Sequence, residues 1–356
     1  MLKISKKTKF AAVVLCLTII TAIAACGKSP DGGNQASADG QEKKVVQYAH
    51  PDAISPTSPY EVFGKYFKQY LGELSGGQWD TDIVGGAQLG NESELAVSVS
   101  SGLIDMTMSS NIVIANTSMD SAALLLPFMF KNHDEVNYVV EDEQVLEMIN
   151  ASLLKDANVI GLDYTSNGLR KLFMRESYGD SPVLGNLKNK KIRVPETPLP
   201  VDTFKALNMT PTTISGSEVI TAMQQGTVDG CDYPILPAMA SGFGELAKTM
   251  INTNHYYVGC SIIFSANFWN GLTDEEKGWF KEASKKAAHQ QRMDLGQMEK
   301  ELTEKMITQG CIPVETDIQP YIDATKPIYE KYAAKINPKL IERVEFLLKE
   351  YRASHK

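Results

Sequence analysis

Arg193 stands in the stretch NKKIRVPET (189–197), where Ile192 and Val194 alternate with Lys191 and Arg193 until Pro195 closes the run. In a strand of side-chain period two, that guanidinium lies on the face opposite the two aliphatics. Two readings are open: a solvated charge, or a planar fork for an anion. The second has a definite chemistry. A guanidinium offers two parallel N–H donors to two carboxylate oxygens and keeps its proton, whereas a lysine supplies charge without planar selection. Arg170, in YTSNGLRKLF (164–173), reads from its neighbours alone as a surface arginine following the Gly168 turn.

Other polar residues sit where α/β folds place ligands. MTMSSN (106–111) ends a strand, and carboxyl ends of strands line ligand crevices, so Ser109, Ser110 and Asn111 are candidate hydroxyl or carbonyl partners; a hydrogen-bonded turn is the alternative. Glu92 follows QLG and either reaches a cleft or caps the next helix. His50 ends the first strand and is a ligand neighbour or a satisfied loop histidine, while Trp79 and Trp269 read as core. The segment GFGELA (242–247) fits GxGxxA only superficially, because no clear strand precedes it. GxSxG, P-loop and HExxH patterns do not occur, so the residues name no catalytic group, and no enzyme is expected. Cys231, Cys260 and Cys311 form no CxxC, and the five histidines are scattered, so neither a structural zinc nor any other metal or cofactor is expected. One disulfide plus a free thiol, and three buried thiols, both remain open.

The elements that must position these residues read as α/β. The chain has 356 residues, 43% hydrophobic and 22% charged, which suits about two domains. Its net charge of −8 argues against nucleic acid and against a broad anionic-membrane footprint. Residues 1–25 read as a leader: Lys3, Lys6, Lys7 and Lys9, then an apolar run ending in IAAC, where Cys26 closes a lipobox-like signal. Residues 26–44 then read as a lipidated cysteine and a flexible tether, with no large apolar residue to bury from 27 to 44. KVVQYAH (44–50) reads as a strand, SPYE (58–61) as a capped helix start, and QWDTDIV as the next strand. SELAVSVSSGLIDM (93–106) and SEVITAMQQGTVDG (217–230) share Ser-Glu, a helical pattern, and a glycine and an aspartate at matching positions. This repeat predicts two related lobes, with Gly102 and Gly226 as left-handed helix stops. TDEE (273–276) is a capping box opening a helical stretch to Gly310, either one long helix along both lobes or two broken near Gly296; 325–352 is helical with an interruption at Pro338.

The segments QLGNESE, GLIDMTM, LLLPFMF, LKNKKIRVPET, SEVITAMQQGTVDGCDYP, TNHYYV and FWNGLTDEE, in that order, resemble the dicarboxylate-type substrate-binding proteins of TRAP (tripartite ATP-independent periplasmic) transporters over roughly 45–310. The resemblance implies an α/β, two-lobed periplasmic-binding-protein fold (type II-like) with crossover strands and a long helix spanning both lobes. It assigns 45–167 plus 256–298 to lobe I and 168–255 plus 299–356 to lobe II. It also implies capture of a small organic acid and delivery to the membrane permease subunits of an ion-gradient-driven transporter, while the lipobox-like signal and tether imply a protein anchored to a membrane on its extracytoplasmic side. Arg193 matches the arginine that holds the ligand carboxylate, and Arg170 a second arginine of the cleft. Two arginines on one carboxylate would bind a monoanion strongly; apart, they would receive both ends of a dianion. Where the family commonly has asparagine before the proline of DGCDYP, this chain has Tyr233, which either hints at a more apolar or aromatic acid or turns into the core. Asp232 reads as structural. Ser110, where some members carry an acid, argues against a basic nitrogen on the ligand. A sensory binding protein and an ABC-type binding lipoprotein are the rival readings.

Overall fold

The computed structural model describes residues 43–178 and 184–355. The expected leader, Cys26 and nearly all of the tether lie outside the described residues. The described residues form ten strands: β1 Lys44–Ala49, β2 Trp79–Val84, β3 Met106–Ser110, β4 Val159–Met174, β5 Lys191–Val194, β6 Thr210–Thr213, β7 Gly230–Pro234, β8 Thr249–Ile251, β9 Tyr257–Ser265 and β10 Ile312–Val314. They run in the order β2-β1-β3-β9-β4-β7-β5-β6, with β8 joining β4 to β10.

The order is two copies of one pattern. In the first, β1 pairs in parallel with β2 and β3, and β3 pairs antiparallel with β9. In the second, β5 pairs in parallel with β6 and β7, and β7 pairs antiparallel with β4. The sequence repeat sits at the same place in both. The helix Glu92–Ser101 stops at Gly102 (φ 82°) and leads to β3; the helix Val219–Gln225 stops at Gly226 (φ 71°) and leads to β7. Both glycines adopt the left-handed conformation that terminates a helix without steric cost.

β4 joins the two sheets. Val159 to Leu169 pair with β9, and Arg170 to Met174 pair with β7 on the other side of the crossing. Register shifts between Gly161 and Tyr164 and between Ser166 and Gly168 mark the transition, with Gly168 at φ 96°. Arg170 is therefore the first residue of the strand's second half. The long helix Asp274–Thr308 is continuous through Gly296 and opens with Thr273 and Glu276 as a reciprocal capping box. At 1.5 Å per residue its 35 residues span about 52 Å. That length lets it pack on the helix Pro59–Leu74 of the first half and on the second-half helix Ile235–Ala240.

The helix Pro59–Leu74 is capped by Ser58 and buries Phe63, Phe67 and Leu71 against the first sheet. Each such side chain contributes about 1.5–3 kcal/mol through removal of apolar surface from water. Trp79 and Trp269 belong to the same core. The C-terminal region is two helices, Gln319–Ala333 and Pro338–Ser354, with Pro338 opening the second rather than interrupting one. Gln319–Ala333 packs on the second-half helix Pro198–Ala206, but Pro338–Ser354 returns to the helices His133–Val140 and Glu143–Ala157. The last helix thus packs on helices from the first half of the chain. Cys231, Cys260 and Cys311 are all buried free thiols. Among the described residues, no helix is long and apolar enough to cross a membrane.

Candidate functional site

A cavity of about 90 Å³ lies where the carboxyl ends of the two sheets face each other. The first half supplies Asp52, Tyr60, Asn91, Glu92, Ser93 and Ser110; β4 supplies Asn167 and Arg170; the second half supplies Arg193, Pro195, Glu196, Ser215, Gly216, Tyr233 and Pro234. A larger groove, about 1,140 Å³, runs beside the long helix, but none of the candidate residues lines it and it touches no strand end that faces the other sheet.

Arg193 is 3% exposed. Its Nε–H donates to the Ile214 carbonyl at 2.8 Å, while Nη1 is buried without a partner. A buried guanidinium donor left unpaired is costly, so this one is set for an acceptor in the cavity. Burial lowers its proton affinity, a loss partly offset by Tyr233; a guanidinium nevertheless stays charged.

Arg170 is differently placed. Its Nε–H donates to the Asp232 carboxylate and Nη2–H to the Asp232 carbonyl. Asp232 is also reached by His255 Nε2 at 2.9 Å, and His255 Nδ1 lies 2.7 Å from the Thr253 hydroxyl. Burial alone would raise the Asp232 carboxyl, but Arg170 and His255 outweigh it and hold the group at about 2. Arg170 thus faces the cavity with its charge already balanced from behind by Asp232, which is fully buried and does not line the cavity.

Tyr233 lines the cavity, yet its ring is occupied. It stacks on Phe243 with centroids 5.3 Å apart, and the guanidiniums of Arg193 and Arg170 lie over it at 5.3 and 5.6 Å. The open flat face expected for an aromatic acid is covered by these neighbours.

Ser110 and Glu92 meet at the cavity edge: the Ser110 backbone N–H donates to Glu92 Oε1 at 2.5 Å, and Ser110 Oγ caps the next turn by accepting from Val113 N–H. Glu92 does not cap its helix; Asn91 and Glu94 form that capping box. Burial pushes the Glu92 carboxyl up, and hydrogen bonds from Ser110 and Tyr60, with the charge of Arg170, draw it back. Three expected residues are elsewhere. Ser109, one strand position before Ser110, points into the interior; Asn111 is buried with Nδ2–H donating to the Tyr257 carbonyl; His50 Nε2 pairs with Glu61 at 2.9 Å inside the first lobe. Burial lowers the His50 pKa despite Glu61.

Asp52, Tyr60 and Asn167 line the cavity without having been singled out from sequence. Asp52 follows β1 by three residues, so the strand-end rule that flagged MTMSSN applies to it equally. His255 stands in TNHYYV, but nothing local ties it to Asp232.

This fold, with a strand crossing between two similar sheets and a cleft at their facing strand ends, defines a two-lobed solute-binding protein. Residues 51–336 match the family described as bacterial extracellular solute-binding protein, family 7, and the chain belongs to it. It is a solute-binding protein of the TRAP type and not an enzyme. It is 24% identical over 282 residues to the sialic acid-binding periplasmic protein SiaP of Vibrio cholerae, covering 79% of this chain and 86% of that one. It is 21% identical over 314 residues to the C4-dicarboxylate-binding protein DctB of Bacillus subtilis, covering 87% and 88%. A TRAP periplasmic solute-binding protein from Bordetella bronchispeptica, with density assigned to pantoate, superposes with a TM-score of 0.78 at 26% identity, covering 85% of this chain and 98% of that one.

Proposed function

We propose that this chain closes its two lobes over a small carboxylate, anchored by Arg193, and delivers it to the membrane permease subunits of a TRAP transporter. The observation that carries the reading is the buried Arg193 guanidinium with Nη1 unpaired at the cavity, beside an Arg170 already balanced by Asp232. Arg170 then adds field and donors at the same end rather than a second independent anion site. Ser110, Glu92 and Tyr233 are the further cleft residues of this reading; Ser109, Asn111 and His50 support the walls. SiaP and DctB are named for the acids they bind and the Bordetella protein holds density assigned to pantoate, which supports the class.

In the same reading, Cys26 takes a lipid after removal of 1–25, and the tether holds the binding lobes beside the membrane on its extracytoplasmic side. The lobes are 45–167 plus 256–298 and 168–255 plus most of 299–356, with the last helix packed on the first.

A thermal-shift screen against aliphatic, hydroxylated and aromatic acids tests the function, because ligand binding to the folded state alone raises the melting temperature. Stabilisation by uncharged or cationic compounds only would overturn it. Metabolic labelling with an alkynyl fatty acid tests the anchor: the native chain should label and Cys26→Ser should not.

A further inference from the structure

The charges at the cavity are sorted by lobe. Arg193 comes from β5 and Arg170 from the second half of β4, whereas Asp52 and Glu92 both come from the first lobe. Among the described residues that line the cavity, Glu196 is the one carboxylate on the arginine side, and it is exposed; Asp232 lies behind Arg170 and does not line it. Asp52 accepts from the Ser58 hydroxyl at 3.0 Å; the other influences on its charge are burial and Glu92, and none is a cation.

Resting on the carboxylate reading, we propose that Asp52, with Glu92, makes the first-lobe wall an acceptor surface that selects a monocarboxylate bearing an O–H or N–H donor at its far end and rejects dicarboxylates. With its carboxylate on Arg193, a ligand extends toward Asp52 and Glu92. A second carboxylate there would meet two acceptors, and the cation whose field reaches Glu92, Arg170, already donates its Nε–H and Nη2–H to Asp232. Like charges brought together out of water are strongly disfavoured, whereas a hydroxyl or ammonium supplies what both side chains lack. Burial raises the Asp52 carboxyl to about 7, the mark of a group in want of a donor.

Titration calorimetry at about pH 8.5, where a carboxyl raised to about 7 is ionised, tests this. The probes are aldonates of four to six carbons, the aldarates of equal length, the unsubstituted monoacids and the ω-amino acids. An aldonate or an ω-amino acid should bind at least about tenfold more tightly than its matched diacid and unsubstituted monoacid. The better of the two names the donor as hydroxyl or ammonium. Asp52→Asn, which keeps an acceptor for Ser58, should shrink the preference over the diacid about tenfold, and Glu92→Gln should act in the same direction. Melting temperatures establish that both variants fold. A diacid or plain monoacid that binds as tightly as the donor-bearing acid overturns the inference and leaves the carboxylate reading standing. So does a preference unchanged in both variants. If no acid of any kind binds, the carboxylate reading itself falls.

Discussion

Replacing Arg193 separates anchoring from architecture. The guanidinium is 3% exposed, spends one N–H on the Ile214 carbonyl at 2.8 Å and leaves Nη1 unpaired. A carboxylate seated there forms a desolvated, charge-assisted pair, and truncating one partner of such a pair costs about 2–5 kcal/mol. Arg193→Ala should therefore weaken binding roughly 30- to 5,000-fold. Arg193→Lys should lose at least about tenfold, since an ammonium cannot bond Ile214 and grip two carboxylate oxygens in one plane. The fold should respond in the opposite sense. Without ligand, the alanine variant gives up one hydrogen bond worth about 1 kcal/mol and the cation–π contact with Tyr233, about 0.5–2 kcal/mol, but is relieved of burying a cation with no counter-ion beside it, so its melting temperature should fall little. Calorimetric titration with the best acid from the screen, paired with melting curves with and without that acid, reads both effects. An alanine variant that keeps full affinity and the full ligand-induced stabilisation refutes the anchor.

Asp52 predicts an inverted pH dependence. Its carboxyl rises from 3.8 to about 7 in the fold through burial, so between these values the native state holds a proton that the unfolded chain has lost. Stability from this group is present at low pH and lost as pH rises through about 7; Asp52→Asn should raise the melting temperature near pH 8 and not near pH 4, and equal shifts at both sink the argument. Asp232→Ala strands Arg170 and His255 without their acceptor and should cost about 3–5 kcal/mol in urea unfolding; a loss below 1 kcal/mol would mean that the cluster is not held together by this carboxylate. Gly259→Ala would place a Cβ 2.0 Å from Tyr164 Cε1 and 2.8 Å from Tyr257 Cε1, both rings buried, so about 1–3 kcal/mol of stability should go. An unchanged melting temperature would show that the Tyr164 ring moves aside freely.

What was legible in the sequence was local. The caps at Ser58 and Thr273, the stops at Gly102 and Gly226 and the repeated strand–helix unit each depend on residues a few positions apart, and each is present in the fold. Strand alternation around Arg193 likewise needs only its neighbours. Family order, not alternation, pointed that face at a cleft. The rest depends on distant partners. One strand of 16 residues changes partners midway, pairing with β9 up to Leu169 and with β7 from Arg170 on, and Arg170 on it is balanced by a carboxylate 62 positions away. The return of Pro338–Ser354 to the first lobe is decided by an apolar face that no local pattern assigns to one surface or another.

Tyr233 shows why a substitution at a site need not read the ligand. The asparagine expected before Pro234 would have offered an amide to the cavity; the phenol instead provides a ring that Phe243 supports on one side and two guanidiniums overlie. Cation–π contact of this kind, about 0.5–2 kcal/mol each, favours holding both cations near one place despite their mutual repulsion. With Arg170 also balanced through Asp232, the second lobe concentrates positive charge at the Arg193 end of the cleft. Closing the lobes sets that end against Asp52 and Glu92. The polarity of the ligand, not the flatness of one side chain, is then what the two walls have in common to recognise.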